Sequence, residues 1–259
     1  MLTPFMELAL LDQKSTRSFD NHDLNTYEGI AEYYDTLMTD GYYDYNQISD
    51  SLCQVIGDRT DILELGVGTG LVVEKVLERK PNFKITGIDN TPAMIEKAKI
   101  RIGNRMTYEL QDVTTLNLEN KFEAAFSVGG CWYFIDNGIE NDLEFCSHID
   151  DLKASLNGLQ NVVNHLKPGA VLAFALQSPH HNYSKKISNE LVYSQEIFEE
   201  EEGFTKHYAF KKEGKVLAEQ FYRYLVFPES KIHDFFHEIG CKPLGLCPSR
   251  KFFAYEISK

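Results

Sequence analysis

The stretch "LELGVGTG" (63–70) constrains this chain more than any other. It completes the apolar run "DILEL" (61–65) and opens directly into "LVVEKVLERK" (71–80), whose Val72, Val73, Val76 and Leu77 share one helical face. A strand that turns through glycines straight into a helix begins a βαβ unit. Glycine at this density also implies that backbone passes close to a ligand or to other backbone. The helix N-terminus it creates carries free N–H groups that suit an anionic group.

The pattern repeats downstream. "FKITGID" (83–89) reads as the next strand, with Thr91 and Pro92 as N-cap and first position of a helix to about residue 101. "MTYELQD" (106–112) and "FEAAFSVGG" (122–130) read as two more strands. A helix over about 151–166 aligns Leu152, Leu156, Leu159, Val163 and Leu166, stops at "KPG", and leads to the apolar strand "AVLAFALQ" (170–177). From about 190 to 227 the period falls to two: Phe204, Tyr208 and Phe210 alternate, then Leu217, Phe221, Leu225 and Phe227. This is an antiparallel excursion with turns near 199–203 and 211–215. The tyrosine-rich "YEGIAEYYDTLMTDGYYDY" (27–45) reads as helical and folded over the ligand face. The expected division is an N-terminal helical lid over 1–60 and a ligand-binding domain over 61–259.

Three acids narrow the ligand. Gly66, Gly68 and Gly70 give G-x-G-x-G, and Leu71 stands where a dinucleotide fingerprint needs its third glycine. Glu64 precedes the first glycine, Asp89 closes the second strand where a carboxylate can accept ribose hydroxyls, and Asp112 closes the third beside an expected adenine amino group. Acid near the loop opposes a pyrophosphate. A nucleoside with a zwitterionic tail satisfies all three.

Acidic residues outnumber basic ones 39 to 26, for a formal charge of −13, which disfavours nucleic acid and anionic lipid as partners. Five scattered cysteines (Cys53, Cys131, Cys146, Cys241, Cys247) have no metal-like spacing and read as reduced thiols of a cytoplasmic protein; no metal is expected. "MLTPFMELALLDQK" lacks a basic n-region and is interrupted by Glu7, so it reads as an amphipathic lid or docking helix rather than a signal peptide.

"LELGVGTG", "GIDNTPAMIEKA", "YELQDVTTLNL", "FEAAFSVGG" and "LKPGAVLAF" stand in the order and spacing of class I S-adenosylmethionine-dependent methyltransferases, which the chain resembles over about 60–178. The resemblance implies a Rossmann-like α/β fold: a seven-stranded, mostly parallel sheet with helices on both faces, its final strand antiparallel and inserted beside its neighbour. It places Glu64, Gly66, Gly68 and Gly70 on the methionine portion of S-adenosylmethionine and Asp89 on the ribose. Asn90 and Met94 would flank the adenine, Asp112 and Val113 its edge, and Ser127 with Val128 would lie beneath the sulfonium. Tyr33 or Tyr34 resembles the N-terminal tyrosine that closes over the cofactor, and the residues do not choose between them. With Tyr34 on the cofactor, Tyr33 and Tyr42 fall to the acceptor side. The product would be S-adenosylhomocysteine.

Acceptor residues are sought at the carboxyl ends of the strands. "CWYFID" (131–136) offers Trp132 and Tyr133, as an aromatic wall or as core; it is not the Asn/Asp-Pro-Pro-Tyr-type motif of members that methylate exocyclic amino groups on nucleic acid or protein amides. "SPHHNYSKK" (178–186) offers His180 and His181, as a base and an orienting group or as solvated loop residues. Tyr133 and His180 are the catalytic candidates. Arg223 could meet an acidic substrate or a neighbouring acid. The excursion resembles what small-molecule N-methyltransferases place over the active site, which points to an acceptor nitrogen or oxygen on a metabolite. Non-methyl chemistry on the same cofactor, and a non-catalytic binding subunit, stay open as alternatives. Exposed excursion strands could pair in a homodimer.

Overall fold

The computed structural model describes residues 27–139 and 142–258. The segment 1–14, expected as an amphipathic helix, lies outside the described residues.

Five parallel strands run in the order β3 (Thr107–Leu110), β2 (Lys84–Asp89), β1 (Asp61–Leu65), β4 (Phe122–Ser127) and β7 (Leu166–Gln177). The last strand, β13 (Phe252–Ile257), pairs antiparallel with β7, and β12 (Cys241–Leu246) pairs antiparallel with β13. The seven strands expected from the motifs are therefore present, with the final strand inserted as the resemblance implied. Successive strands step outward from β1 through β2 to β3, then β4 returns to the other side of β1. That reversal opens a crevice at the carboxyl ends of β1 and β4, where doubly wound sheets hold ligands.

Helices cover both faces, as right-handed crossovers require. On one face, α2 (Tyr45–Ile56) and α3 (Leu71–Arg79) bury Ile48, Leu52 and Ile56 with Val72, Val73 and Val76. α4 (Pro92–Ile102) adds Ile95 and Ile102 to this face. On the other face, α5 (Leu152–Asn164) and α6 (Glu229–Glu238) bury Leu156, Leu159 and Val163 with Phe235 and Phe236. Asp151 caps α5, its carboxylate accepting from the Ala154 N–H at 2.6 Å. "KPG" lies already inside β7, so the helix ends at Asn164, two residues before the expected limit.

The sheet does not stop at seven strands. The end of β7 pairs in parallel with β5 (Trp132–Asp136), and from there β6 (Leu143–Ser147), β11 (Lys215–Pro228), β10 (Gly203–Lys212), β9 (Leu191–Glu200) and β8 (Tyr183–Ile187) continue antiparallel. Among the described residues the sheet totals thirteen strands. The antiparallel excursion begins at Tyr183 rather than near 190, and the stretch between β4 and α5 holds a further hairpin, β5–β6. Its two apolar runs are short and bracket a polar turn, which masked their pairing.

Before β1, a short 3-10 turn leads into α1 (Ala31–Leu37), and the chain continues through a wide turn over Met38–Tyr42 that breaks at Asp40 and Gly41. This segment packs Ile30, Leu37 and Met38 against Tyr193, Tyr208 and Phe210 of the antiparallel layer. No helix among the described residues is long and apolar enough to cross a membrane.

Candidate active site

A cavity of about 310 Å³ opens at the carboxyl ends of β1, β2 and β4, inside the range of small-molecule sites. Its floor is the glycine turn, and two glycines there are required by close packing within the protein itself. Gly66 (φ +73°) lies against the Gly129–Gly130 turn after β4, where an added Cβ would come within 2.7 Å of the Gly130 Cα. Gly70 (φ +80°) sits against α4, where a Cβ would lie 3.1 Å from Ile102. Gly66 and Gly68 line the cavity, and Gly70 does not. The ligand role expected of Gly70 is thus corrected: it lets α3 and α4 approach, the packing task of a fingerprint's third glycine.

Glu64 is 1% exposed, lines the cavity, and its Oε2 has no hydrogen-bond partner among the described residues. Burial first, and the Asp89 charge second, push its carboxyl well above the usual range. Such a group calls for a cation. Asp89 accepts from the Gly68 N–H and the Thr91 N–H, both at 2.9 Å, which ties the glycine turn to the start of α4. Burial raises its pKa despite those bonds and further ones from the Thr91 side chain and the Asn90 backbone. Asp112 accepts from the Thr114 N–H and hydroxyl through Oδ1 at 2.8 and 2.7 Å. Asn90, Met94, Asp112 and Val113 line the cavity together with Glu64 and Asp89. An ammonium at Glu64, ribose hydroxyls at Asp89 and an adenine between Met94 and Val113 fit these residues.

Ser127 is placed elsewhere. It is fully buried and its hydroxyl accepts from the Cys131 and Trp132 N–H groups at 3.2 Å, so it shapes the turn after β4 instead of lining the cavity. Val128 does line it.

Of the two tyrosines left open, Tyr34 lines the cavity, with Tyr27 edge-on at 5.5 Å. Tyr33 points to the antiparallel layer and stacks on Phe210 at 5.4 Å. Tyr27, Tyr43 and Tyr45 join the lining and were missed; for Tyr43 and Tyr45 the break at Asp40–Gly41 interrupts the helical period that would have placed them. The Asp35 carboxylate anchors this segment: it accepts from the Thr69 hydroxyl in the glycine turn and from Arg101 at 2.8 Å.

A second, smaller space of about 20 Å³ adjoins the first and shares Tyr27, Tyr34, Tyr43, Gly129 and His148 with it. Here Tyr133 and His180 meet, hydroxyl and Nε2 standing 2.8 Å apart. Burial and the Lys206 charge push the His180 ring down to about 2, so it is neutral and a weak base. Tyr133 stays protonated, since burial raises it well above its ordinary value. Tyr42 lines this space and accepts from the Lys206 ammonium at 3.1 Å.

Besides Tyr33, three acceptor candidates lie outside both spaces. Trp132 is fully buried, its indole N–H donates to Ser155 at 3.0 Å, and its ring covers Gly158; it is core. His181 is exposed and its carbonyl accepts from Gln195. Arg223 pairs with Glu200 at 2.8 Å. Lys206 went unnoticed, although Phe204, Lys206, Tyr208 and Phe210 share one strand face and a lysine amid that alternation is a readable signal.

Residues 62–169 match the family described as a methyltransferase domain. Over 125 residues the chain is 31% identical to the malonyl-[acyl-carrier protein] O-methyltransferase 1 of Ilyobacter polytropus, covering 46% of this chain and 42% of that protein. The chain spans about half the length of the curated relatives it matches, 42–60% for the first three. An S-adenosylmethionine-dependent methyltransferase from Clostridium acetobutylicum superposes with a TM-score of 0.68 at 20% identity, over 90% of this chain and 99% of that one. A sugar N-methyltransferase from a Streptoalloteichus species gives 0.67 at 17% identity, over 95% and 98%. These two likenesses are of fold. The chain thus carries a stretch that matches a methyltransferase domain, on a fold similar to that of S-adenosylmethionine-dependent methyltransferases.

Proposed function

We propose that the chain binds S-adenosylmethionine in the larger cavity and moves its methyl group to a nitrogen or oxygen of a small metabolite. The observation that carries this reading is Glu64, a buried carboxyl group with an oxygen unpartnered among the described residues at the edge of the glycine turn, lining one cavity with Asp89 and Asp112. Glu64 receives the ammonium of the amino-acid tail, Gly66 and Gly68 lie along that tail, Asp89 takes the ribose hydroxyls, and Asn90, Met94, Asp112 and Val113 frame the adenine. The bound cofactor supplies a methyl group already activated by positive sulfur. The protein's work is therefore alignment and exclusion of water. Tyr34 and the described part of the N-terminal segment, from residue 27, close over the domain that begins at residue 61, and Asp35 locks this lid to the glycine turn through Thr69 and Arg101. Tyr133 orients the acceptor, and His180 holds the Tyr133 hydroxyl in place.

The relatives' printed names span O-methylation and sugar N-methylation, which supports a metabolite acceptor without choosing the atom. The acidic composition supports an enzyme that does not bind nucleic acid, and the five scattered cysteines support a cytoplasmic one. A homodimer would pair through the outer edge of β8. The test is calorimetric titration with S-adenosylmethionine and S-adenosylhomocysteine, followed by product analysis. Micromolar binding, with S-adenosylhomocysteine released only when a metabolite gains one methyl, supports the reading. Absence of binding, or release of 5′-methylthioadenosine instead, refutes it.

A further inference from the structure

We infer that the acceptor is a carboxylate, received where Tyr42 covers Lys206 beside Tyr133 and His180; this rests on the methyl-transfer reading above. Lys206, on β10, is fully buried. Its ammonium donates to the Tyr42 hydroxyl at 3.1 Å and stands 4.4 Å from the centre of the Tyr208 ring. It meets no carboxylate among the described residues.

The two spaces differ in charge, and Lys206 lies behind Tyr42 rather than in the lining of the smaller one. Glu64, Asp89, Asp112 and Asp150 all line the larger cavity, whereas the described lining of the smaller one holds tyrosines, two histidines and no acid. A buried ammonium without a counter-ion is costly, and burial lowers Lys206 to about 7. An anion placed beside it would hold it charged and be held in turn. An ammonium would meet like charge at short range in a poorly screened place. A hydroxyl or a protonated amine would also need a base. His180, held neutral with a pKa of about 2, is a poor one. A carboxylate needs none.

In the transfer, a carboxylate oxygen forms its bond to the methyl carbon as the sulfur–methyl bond breaks, and that bond's electron pair stays on sulfur. Carboxylate and sulfonium lose their charges together and no proton moves. The neutral ester then lacks the attraction to Lys206 that held the substrate, which favours release.

The smaller space, about 20 Å³, holds one water. Entry of a carboxylate therefore displaces Tyr42 and takes over its hydrogen bond from Lys206. Tyr42 follows the break at Asp40–Gly41, a turn held by Lys185 on the Asp40 carbonyl (2.9 Å) and Ser188 on its carboxylate (2.8 Å).

The test titrates the S-adenosylhomocysteine-loaded protein with propionate and, separately, with propylammonium. Propionate is expected to bind at least tenfold more tightly. Lys206→Met should abolish that preference while S-adenosylhomocysteine affinity stays within twofold, and Lys206→Arg should keep it. Equal or tighter propylammonium binding, binding of neither probe, or a preference that survives in Lys206→Met overturns the inference. The wild-type comparison decides even if Lys206→Met fails to fold. Failure of S-adenosylhomocysteine itself to bind overturns the methyl-transfer reading instead.

Discussion

Replacing Glu64 by Gln separates what this residue does for the fold from what it does for the ligand. In the ligand-free protein the carboxylate is buried with Oε2 unpartnered, and its pKa is raised by burial and by Asp89. A group whose folded pKa exceeds its unfolded value contributes its stability below the unfolded value, here 4.5, and loses it as pH rises through the folded value. Wild type and Glu64→Gln should therefore match near pH 4 and diverge upward. By pH 7.5 the variant should be more stable by about 1–3 kcal/mol, the usual penalty of an unsatisfied buried polar group. The cofactor reverses the order. A hydrogen bond to a charged group contributes about 1.5–3 kcal/mol, so the variant should bind S-adenosylmethionine roughly 10–150-fold more weakly. At a concentration 100 times the wild-type Kd, the cofactor stabilises wild type by about 2.7 kcal/mol and the variant by about 0.3–1.4 kcal/mol. Urea unfolding at pH 4 and 7.5, with and without cofactor, measures all four quantities. A variant less stable than wild type at pH 7.5 without cofactor, or equally stabilised by it, refutes this account of Glu64.

Other substitutions check other parts of the site. Gly66→Ala should cost more than Gly68→Ala in urea unfolding. Both incur about 1–2 kcal/mol of left-handed strain, but only Gly66 has backbone 2.7 Å from the new methyl, whereas Gly68 has nothing within 4 Å. His148 and His180 are held neutral at about 3 and 2, so the unfolded chain binds more protons below pH 6.5. Stability should fall between pH 6.5 and 4.5 by about 2–3 kcal/mol per ring, and His148→Gln should flatten that slope in pH-resolved unfolding. Trp132→Phe should lower stability by about 1–3 kcal/mol and leave turnover of the surviving fold nearly unchanged, while Tyr133→Phe should lower kcat at least tenfold; steady-state kinetics separates them. Asp35→Asn should raise the Kd for S-adenosylmethionine several-fold in calorimetry by loosening the lid from Thr69 and Arg101.

The wound half of the fold was legible because local signals there agree with the final packing. The glycine turn, the acids closing successive strands, and Pro92 at a helix start are each set by residues within a few positions. What escaped depends on distant pairing. Trp132 and Tyr133 are adjacent in the chain, yet β5 turns one to the α5 face and the other to the smaller cavity, and only its pairing with β7 decides which. Gly70 and Gly66 look alike in sequence, but one answers to α4 and the other to the turn after β4. The tyrosines of 27–45 could not be ranked, since the break at Asp40–Gly41 interrupts the helical period. Lys206 was visible as a cation on an apolar strand face, but its neighbours Tyr42 and His180 come from remote segments.

The central claim is that Glu64, Asp89 and Asp112 together mark a site for S-adenosylmethionine. Its most direct test is calorimetric titration of the purified chain with S-adenosylhomocysteine, beside Asp89→Ala. One site per chain with micromolar affinity, weakened at least tenfold in the variant, is the expected result. No binding, or binding indifferent to Asp89, would contradict it.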